Sequence, residues 1–158
     1  YAQVRMALTG LRDPLPETGD LLPEIQSLLA DFEAQSGLPV ALVIEAEEGV
    51  ALTAVTQKQA LHILREALTN IRRHAQASQV QITVARENGS VVLQITDDGQ
   101  GFDPDQVTSP NHLGLTIMHT RAERSRGQLT IHSMPGQGTQ VTAVFPAKPV
   151  KNHQLEGR

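Results

Sequence analysis

Cysteine and tryptophan are absent from this chain, and tyrosine occurs once. Without cysteine there are no disulfides and no thiolate metal sites, and a cytoplasmic setting fits that composition. Aromatic residues make up 3% of 158 residues, so any core must be aliphatic. Leu, Val, Ile and Ala recur throughout and supply it. No run of about 18 apolar residues occurs, so nothing in this sequence reads as a membrane-spanning helix. No signal-peptide pattern opens it. The formal net charge is -4 and no basic block stands out. That argues against a nucleic-acid-binding domain, which carries a basic face. It leaves room for a nucleotide, because a small site needs only local positive potential. The first residue is Tyr1 rather than Met, which reads as a piece of something longer.

The length suits one domain with a sizeable core. Residues 1–12 look mildly helical, with Val4, Met6, Leu8 and Leu11 as apolar positions, until Pro14 and Pro16 break the pattern. A second helix is expected from about Asp20 to Gln35, where Leu21, Ile25, Leu28, Leu29 and Phe32 share a face. Pro39 to Glu45 reads as a strand. Thr56 is expected to cap a long helix running to about His74. Gln79–Arg86 and Ser90–Thr96 read as strands around Asn88-Gly89, a strong hairpin signal. Asp97–Asn111 reads as loop and Leu113–Arg126 as helix. Gln128–Ser133 and Gln140–Phe145 complete the pattern as strands. Helices with a run of hairpins predict an α+β fold, a two-layer sandwich with helices on a mixed, mostly antiparallel sheet.

Four segments carry candidate chemistry. In the long helix, Leu61, Leu64, Leu68, Ile71 and Ala75 form a core stripe. Glu66, Asn70 and His74, each four apart, point away from it. An amide or carboxylate oxygen suits Mg²⁺, which also takes phosphate oxygens and water; an ordinary solvated helix face gives the same pattern. Asp97-Asp98-Gly99-Gln100-Gly101-Phe102-Asp103 follows a strand. Its glycines allow close approach to a planar ligand, and a carboxylate there accepts from an exocyclic amine such as that of adenine. A tight turn or a calcium loop is the competing reading, although the closing Glu of an EF-hand is missing. His112-Leu113-Gly114-Leu115 enters a helix, where free backbone N–H groups attract phosphate. Pro135-Gly136-Gln137-Gly138-Thr139 turns between two strands.

In this order and spacing, the four segments resemble the ATPase domain shared by gyrase, the Hsp90 chaperone, histidine kinases and the MutL repair protein. Glu66 to Ala75 resembles the asparagine box of that superfamily. Asp97-x-Gly99-x-Gly101, Gly114-Leu115 and Gly136-Gln-Gly138-Thr139 resemble its three glycine boxes. Arg65-Glu66-Ala67-Leu68-Thr69-Asn70, then His74-Ala75, is similar to the histidine kinases that pair with LuxR-type response regulators. Leu11-Arg12 through Ser36-Gly37-Leu38-Pro39 is similar to nitrate/nitrite sensor kinases.

The resemblance implies a Bergerat-type ATP-binding fold over residues 14–147, with ATP and Mg²⁺ as cofactors. It makes residues 1–13 the end of a dimerisation and phosphotransfer helix, and 148–158 a polar tail. Asn70 would ligand Mg²⁺, and Glu66 would position a water or assist proton removal. Asp97 would read adenine, with Gly99 and Gly101 letting it approach. Gly114 and Leu115 would start the helix that meets the phosphates, and Gly136, Gly138 and Thr139 would close the adenine side. Arg73 and His74 would reach phosphate. Phe102–His112 would be a short ATP lid; within it Asp103–Asn111, with Pro104, Ser109 and Pro110 and only Val107 as a strongly apolar anchor, is expected to be mobile without nucleotide. None of the six histidines sits on a helical hairpin ahead of these boxes, so the phosphoacceptor is expected on an absent dimerisation domain. The implied partners are that domain and a LuxR-type response regulator, with the full protein a homodimer in the cytoplasm or the cytoplasmic part of an inner-membrane sensor. The competing reading on the same fold is a serine kinase of the anti-sigma-factor type, or a stand-alone ATP-binding regulator.

Overall fold

Alternation with period two decides the sheet. In a computed structural model, which describes residues 4–7, 21–46, 49–106 and 109–148, Val80, Ile82 and Val84 are buried along strand β3 (Val80–Glu87). Val91, Leu93 and Ile95 are buried along β4 (Ser90–Asp97), and Val141, Ala143 and Phe145 along β6 (Thr139–Pro146). Successive side chains of a strand point to opposite faces, so one apolar face forms and needs a cover. Asn88 and Gly89, with φ of 50° and 77°, supply the tight β3–β4 turn.

The cover is helical. Helix α1 (Leu21–Ser36) buries Leu21, Ile25, Leu29 and Phe32. Gly37 ends it at φ 72°, its N–H donating to the Glu33 carbonyl at 2.9 Å. The Glu33 carboxylate accepts the Val40 N–H at 2.7 Å and so ties α1 to strand β2 (Val40–Glu45). Helix α2 (Ala54–Asn70) buries Ala60, Leu61, Ile63, Leu64, Ala67 and Leu68. Its cap is Thr53, whose hydroxyl accepts the Thr56 N–H at 3.3 Å. Thr56, expected as the cap, is instead a buried first-turn residue. Helix α3 (Ser109–Arg124) lies beside α2 and buries Met118 and Ala122; Arg121 donates to the Gln59 side chain at 3.0 Å across the two helices.

The six-stranded sheet has the order β1-β2-β3-β4-β6-β5, with β1 at Val4–Ala7 and β5 at Gln128–Ser133. Only β2 and β3 run parallel, joined by the crossover through α2; the other neighbours are antiparallel. This is the expected two-layer α+β sandwich on a mixed sheet.

Three expectations are corrected. The helical reading of residues 1–12 fails at Val4–Ala7, which pairs as a strand with Ala41–Ile44; apolar residues at 4 and 6 fit a period of two as well as a helix. The rest of that segment lies outside the described residues, as does the tail from 149. The expected loop at 97–111 contains a 3₁₀ turn at Pro104–Gln106, and α3 begins at Ser109 rather than Leu113. Pro110 misled the reading, because proline costs little in a first helical turn, where its missing N–H has no intrahelical role.

Candidate functional site

The inward register of β4 runs Val91, Leu93, Ile95, Asp97. The position after three aliphatic residues on the buried face is thus a carboxylate. Asp97 is 6% exposed, at the end of the strand, where the helical layer leaves a gap. One of its oxygens accepts the Gly99 N–H at 2.8 Å. Burial pushes its carboxyl above the ordinary value, the Gly99 and Thr139 backbone N–H groups oppose that, and the neighbouring Asp98 charge adds to it.

The gap is a cavity of about 430 Å³, within the range for small-ligand sites. One wall comes from the end of α2 and the turn beyond it: Asn70, Ile71, His74 and Ala75. The loop after β4 gives Gln100, Gly101, Phe102 and Asp103, α3 gives Leu115 and Met118, and the far strands give Ile131, Thr139 and Val141. An apolar slot with a carboxylate at its floor and an amide and imidazole at one end suits a flat, amine-bearing ring linked to an anion.

The segment Ile71–Ala75 is a π-helical turn, a rare geometry that recurs at functional sites. It closes at Gln76 in the left-handed region, φ 50°. The glycines of the loop are required by crowding. A Cβ at Gly99 would overlap the Ala75 carbonyl, one at Gly101 (φ 61°) the Met134 carbonyl, and one at Gly138 (φ 71°) the Asp97 carbonyl. Gly136, at φ 80°, has nothing within 4 Å of that position, so only its turn needs glycine. Ser133 binds the far wall together: its hydroxyl accepts the Phe102 N–H at 2.9 Å, donates to the Gly138 carbonyl at 3.1 Å, and lies 2.8 Å from the Thr139 hydroxyl. Asp98 faces outward, accepting the N–H groups of Ser78 at 2.8 Å and Gln79 at 3.0 Å as well as the Ser78 hydroxyl. The Ser78 side chain, then those N–H groups, hold its carboxyl below the ordinary value.

Of the residues singled out by sequence, Asn70, His74, Asp97, Gly101, Leu115 and Thr139 line this cavity. Gly99 and Gly138 pack directly behind it. Arg73 is exposed and outside the lining. Glu66 is also outside it; its carboxylate lies against Gly114, 2.6 Å from where a Cβ would be, and the Asn70 amide lies 3.9 Å from the same point. Gly114 is therefore a close-packing position between α3 and α2. It sits inside α3 rather than at its start, so its N–H is not among the free donors of the first turn. Sequence reading missed Gln100 and the apolar walls. Ile95 and Val141 were readable from strand alternation; nothing local marks Gln100. Among the described residues no group of three or more His, Asp or Glu is placed to hold a metal.

Residues 55–149 match the family described as histidine kinase-, DNA gyrase B-, and HSP90-like ATPase, and the chain belongs to that family. It is 36% identical over 148 residues to the nitrate/nitrite sensor protein NarX of Escherichia coli K12, covering 92% of this chain and 24% of NarX. It is 33% identical to the nitrate/nitrite sensor protein NarQ of the same organism, over 98% of this chain and 27% of NarQ. It is 29% identical to the sensor histidine kinase LiaS of Bacillus subtilis, over 98% of this chain and 42% of LiaS. The chain thus spans about a quarter of NarX and NarQ. The histidine kinase domain of the blue-light activated kinase of Erythrobacter litoralis shares the fold, with a TM-score of 0.67 at 20% identity, over 87% of this chain and 66% of that one. Acinetobacter baumannii AdeS matches with a TM-score of 0.61 at 14% identity, over 82% of this chain and 64% of AdeS.

Proposed function

We propose that this chain is the ATP-binding catalytic domain of a two-component sensor histidine kinase, delivering the γ-phosphoryl group of ATP to a histidine on a dimerisation domain. The observation that carries the reading is the buried Asp97 carboxylate facing an apolar cavity of nucleotide size in a chain of this ATPase family. Asp97 accepts a hydrogen bond from the adenine amino group, Gly99, Gly101 and Gly138 bring the backbone close, and Thr139 closes the adenine side. Asn70 and His74 stand at the phosphate end, and Arg73, exposed outside the lining, is the nearby cation that would reach the phosphates. A Mg²⁺ ion held there supplies charge neutralisation for the phosphates. The residues fit such an ion: one amide oxygen, with no carboxylate cage, leaves most ligand positions for phosphate and water. Glu66, beside Asn70 and Gly114, orients water or takes up a proton from the attacking imidazole. In the transfer, a nitrogen of the acceptor imidazole bonds to the γ-phosphorus, the bond to the β-phosphate oxygen breaks, ADP leaves, and the imidazole proton passes to base or solvent. The protein's share is positioning and charge stabilisation.

Relatives matching 92–98% of the chain are named sensor proteins or sensor kinases, which supports this reading over a serine kinase. The resemblance of Arg65–Ala75 to histidine kinases that pair with LuxR-type response regulators supports such a regulator as partner, and we further propose that the full protein is a homodimer with this domain in the cytoplasm. No described helix is long and apolar enough to cross a membrane.

The test is phosphoryl transfer. His62 lies along α2, with its imidazole proton affinity lowered by burial and then by Arg121, Arg65 and Lys58. His74 lies one turn beyond Asn70, the proposed metal ligand, and lines the cavity. Incubated alone with γ-labelled Mg-ATP, the chain should form no acid-labile phosphohistidine. Adding the dimerisation domain of NarX as a separate chain should give weak labelling of that domain, because no tether raises its effective concentration. Acid-labile label on this chain alone, lost in His112→Ala, contradicts the proposal.

A further inference from the structure

One loop residue joins three segments around the cavity. The Gln100 N–H donates to the Ala75 carbonyl at 2.7 Å, and its own carbonyl accepts the Gly136 N–H at 2.6 Å. Its side-chain amide donates to the His74 carbonyl. The His74 and Ala75 carbonyls belong to the π-helical turn that closes at Gln76. The last carbonyls of a helix have no partner within it; here both are satisfied from outside, by the main chain and side chain of a single residue. The same residue sits between the two glycines that let the loop pass under the turn. It also lines the cavity, as do Asp97, Asn70 and His74.

We propose that Gln100 is a positioning residue for nucleotide binding, fixing the π-helical turn so that His74 stands at a set span from Asn70, at the end of α2, and from Asp97. The inference rests on the ATP reading above. A bound nucleotide must meet Asp97 with its base and the Asn70–His74 wall with its phosphates at once. A π turn is less stable than an α turn, and relaxation by one residue rotates the following side chains by about 100°. The backbone bonds of Gln100 survive substitution, so its side-chain amide is the part that mutation isolates.

Gln100 is exposed, so substitutions there leave the core untouched. Gln100→Met keeps the length and removes the donor; Gln100→Lys keeps a donor. Two quantities are read on the whole 158-residue chain: amide hydrogen exchange over residues 71–76 without nucleotide, and the Kd for Mg-ATP. Gln100→Met should speed exchange in that turn and weaken ATP binding, each by about fivefold, the effect of one net hydrogen bond. Gln100→Lys should restore slow exchange, a readout its charge on the phosphates does not enter. Unchanged exchange in Gln100→Met overturns the clamp. Faster exchange with unchanged ATP affinity shows a merely structural tie and overturns the positioning role. Failure of the wild-type chain to bind ATP defeats the proposed function instead, and the exchange comparison still decides the clamp.

Discussion

Asp97→Asn separates what the carboxylate does for stability from what it does for binding. At 6% exposure the side chain is desolvated, and burial raises its pKa. A raised folded-state pKa contributes stability that is full below the ordinary carboxylate value and lost as pH rises through the folded value. At pH 7 the wild type therefore carries the cost of a buried charge. The amide does not, and it keeps an oxygen for the Gly99 N–H now accepted at 2.8 Å. The Tm of Asp97→Asn should exceed that of wild type at pH 7, with the gap closing toward pH 4. Binding should move the other way. With its oxygen held by Gly99, the new amide turns N–H₂ toward the adenine amino group, donor against donor. Leaving such groups unpaired costs about 1–3 kcal/mol, or about 5- to 150-fold in Kd. Thermal unfolding by circular dichroism and titration with a fluorescent ATP analogue read the two arms. A variant that melts lower at pH 7, or that binds ATP as wild type does, refutes the reasoning.

The two glycines of the β5–β6 turn should differ. Gly138→Ala, which drives a Cβ into the Asp97 carbonyl, should lose about 2–4 kcal/mol and most nucleotide binding. Gly136→Ala meets only open space and should cost about 1–2 kcal/mol, the penalty of a left-handed non-glycine residue; chemical denaturation compares them. Asn70→Ala should weaken ATP binding when Mg²⁺ is present and change it little in chelator, by calorimetry; an equal loss in both media removes the metal role. Asp98→Asn should be less stable than wild type at pH 7. A depressed folded-state pKa gives stability present above the ordinary carboxylate value and lost as pH falls through the folded one, so the difference should vanish in acid; a difference independent of pH would contradict this.

Much of the fold was legible because its signals are local. Asn88-Gly89 demands a tight turn, and the apolar stripes of α1 and α2 read directly from spacing. Asp97 was legible as a strand-end carboxylate, and strand alternation alone places it on the buried face with Ile95. What failed depended on context. Thr53 and Thr56 are equally good caps in isolation, and only the packing of Thr56 into the core decides between them. Val4 and Met6 suit helix or strand until β2 offers an edge. Pro110 reads as a breaker until α3 begins one residue earlier. The π-helical turn at Ile71–Ala75 carries no compositional mark, since α and π spacing differ little over five residues. Gln100 is invisible for the same reason: its three partners are Ala75, His74 and Gly136, and no spacing rule relates them.

The central claim is that ATP binds in the cavity floored by Asp97, with Mg²⁺ at the Asn70 end. Calorimetric titration of the wild-type chain with ATP, in Mg²⁺ and then in chelator, tests it most directly. The account predicts one site per chain, tighter with Mg²⁺, and no comparable heat with GTP. No binding of ATP in either medium, or equal binding of ATP and GTP, would contradict it.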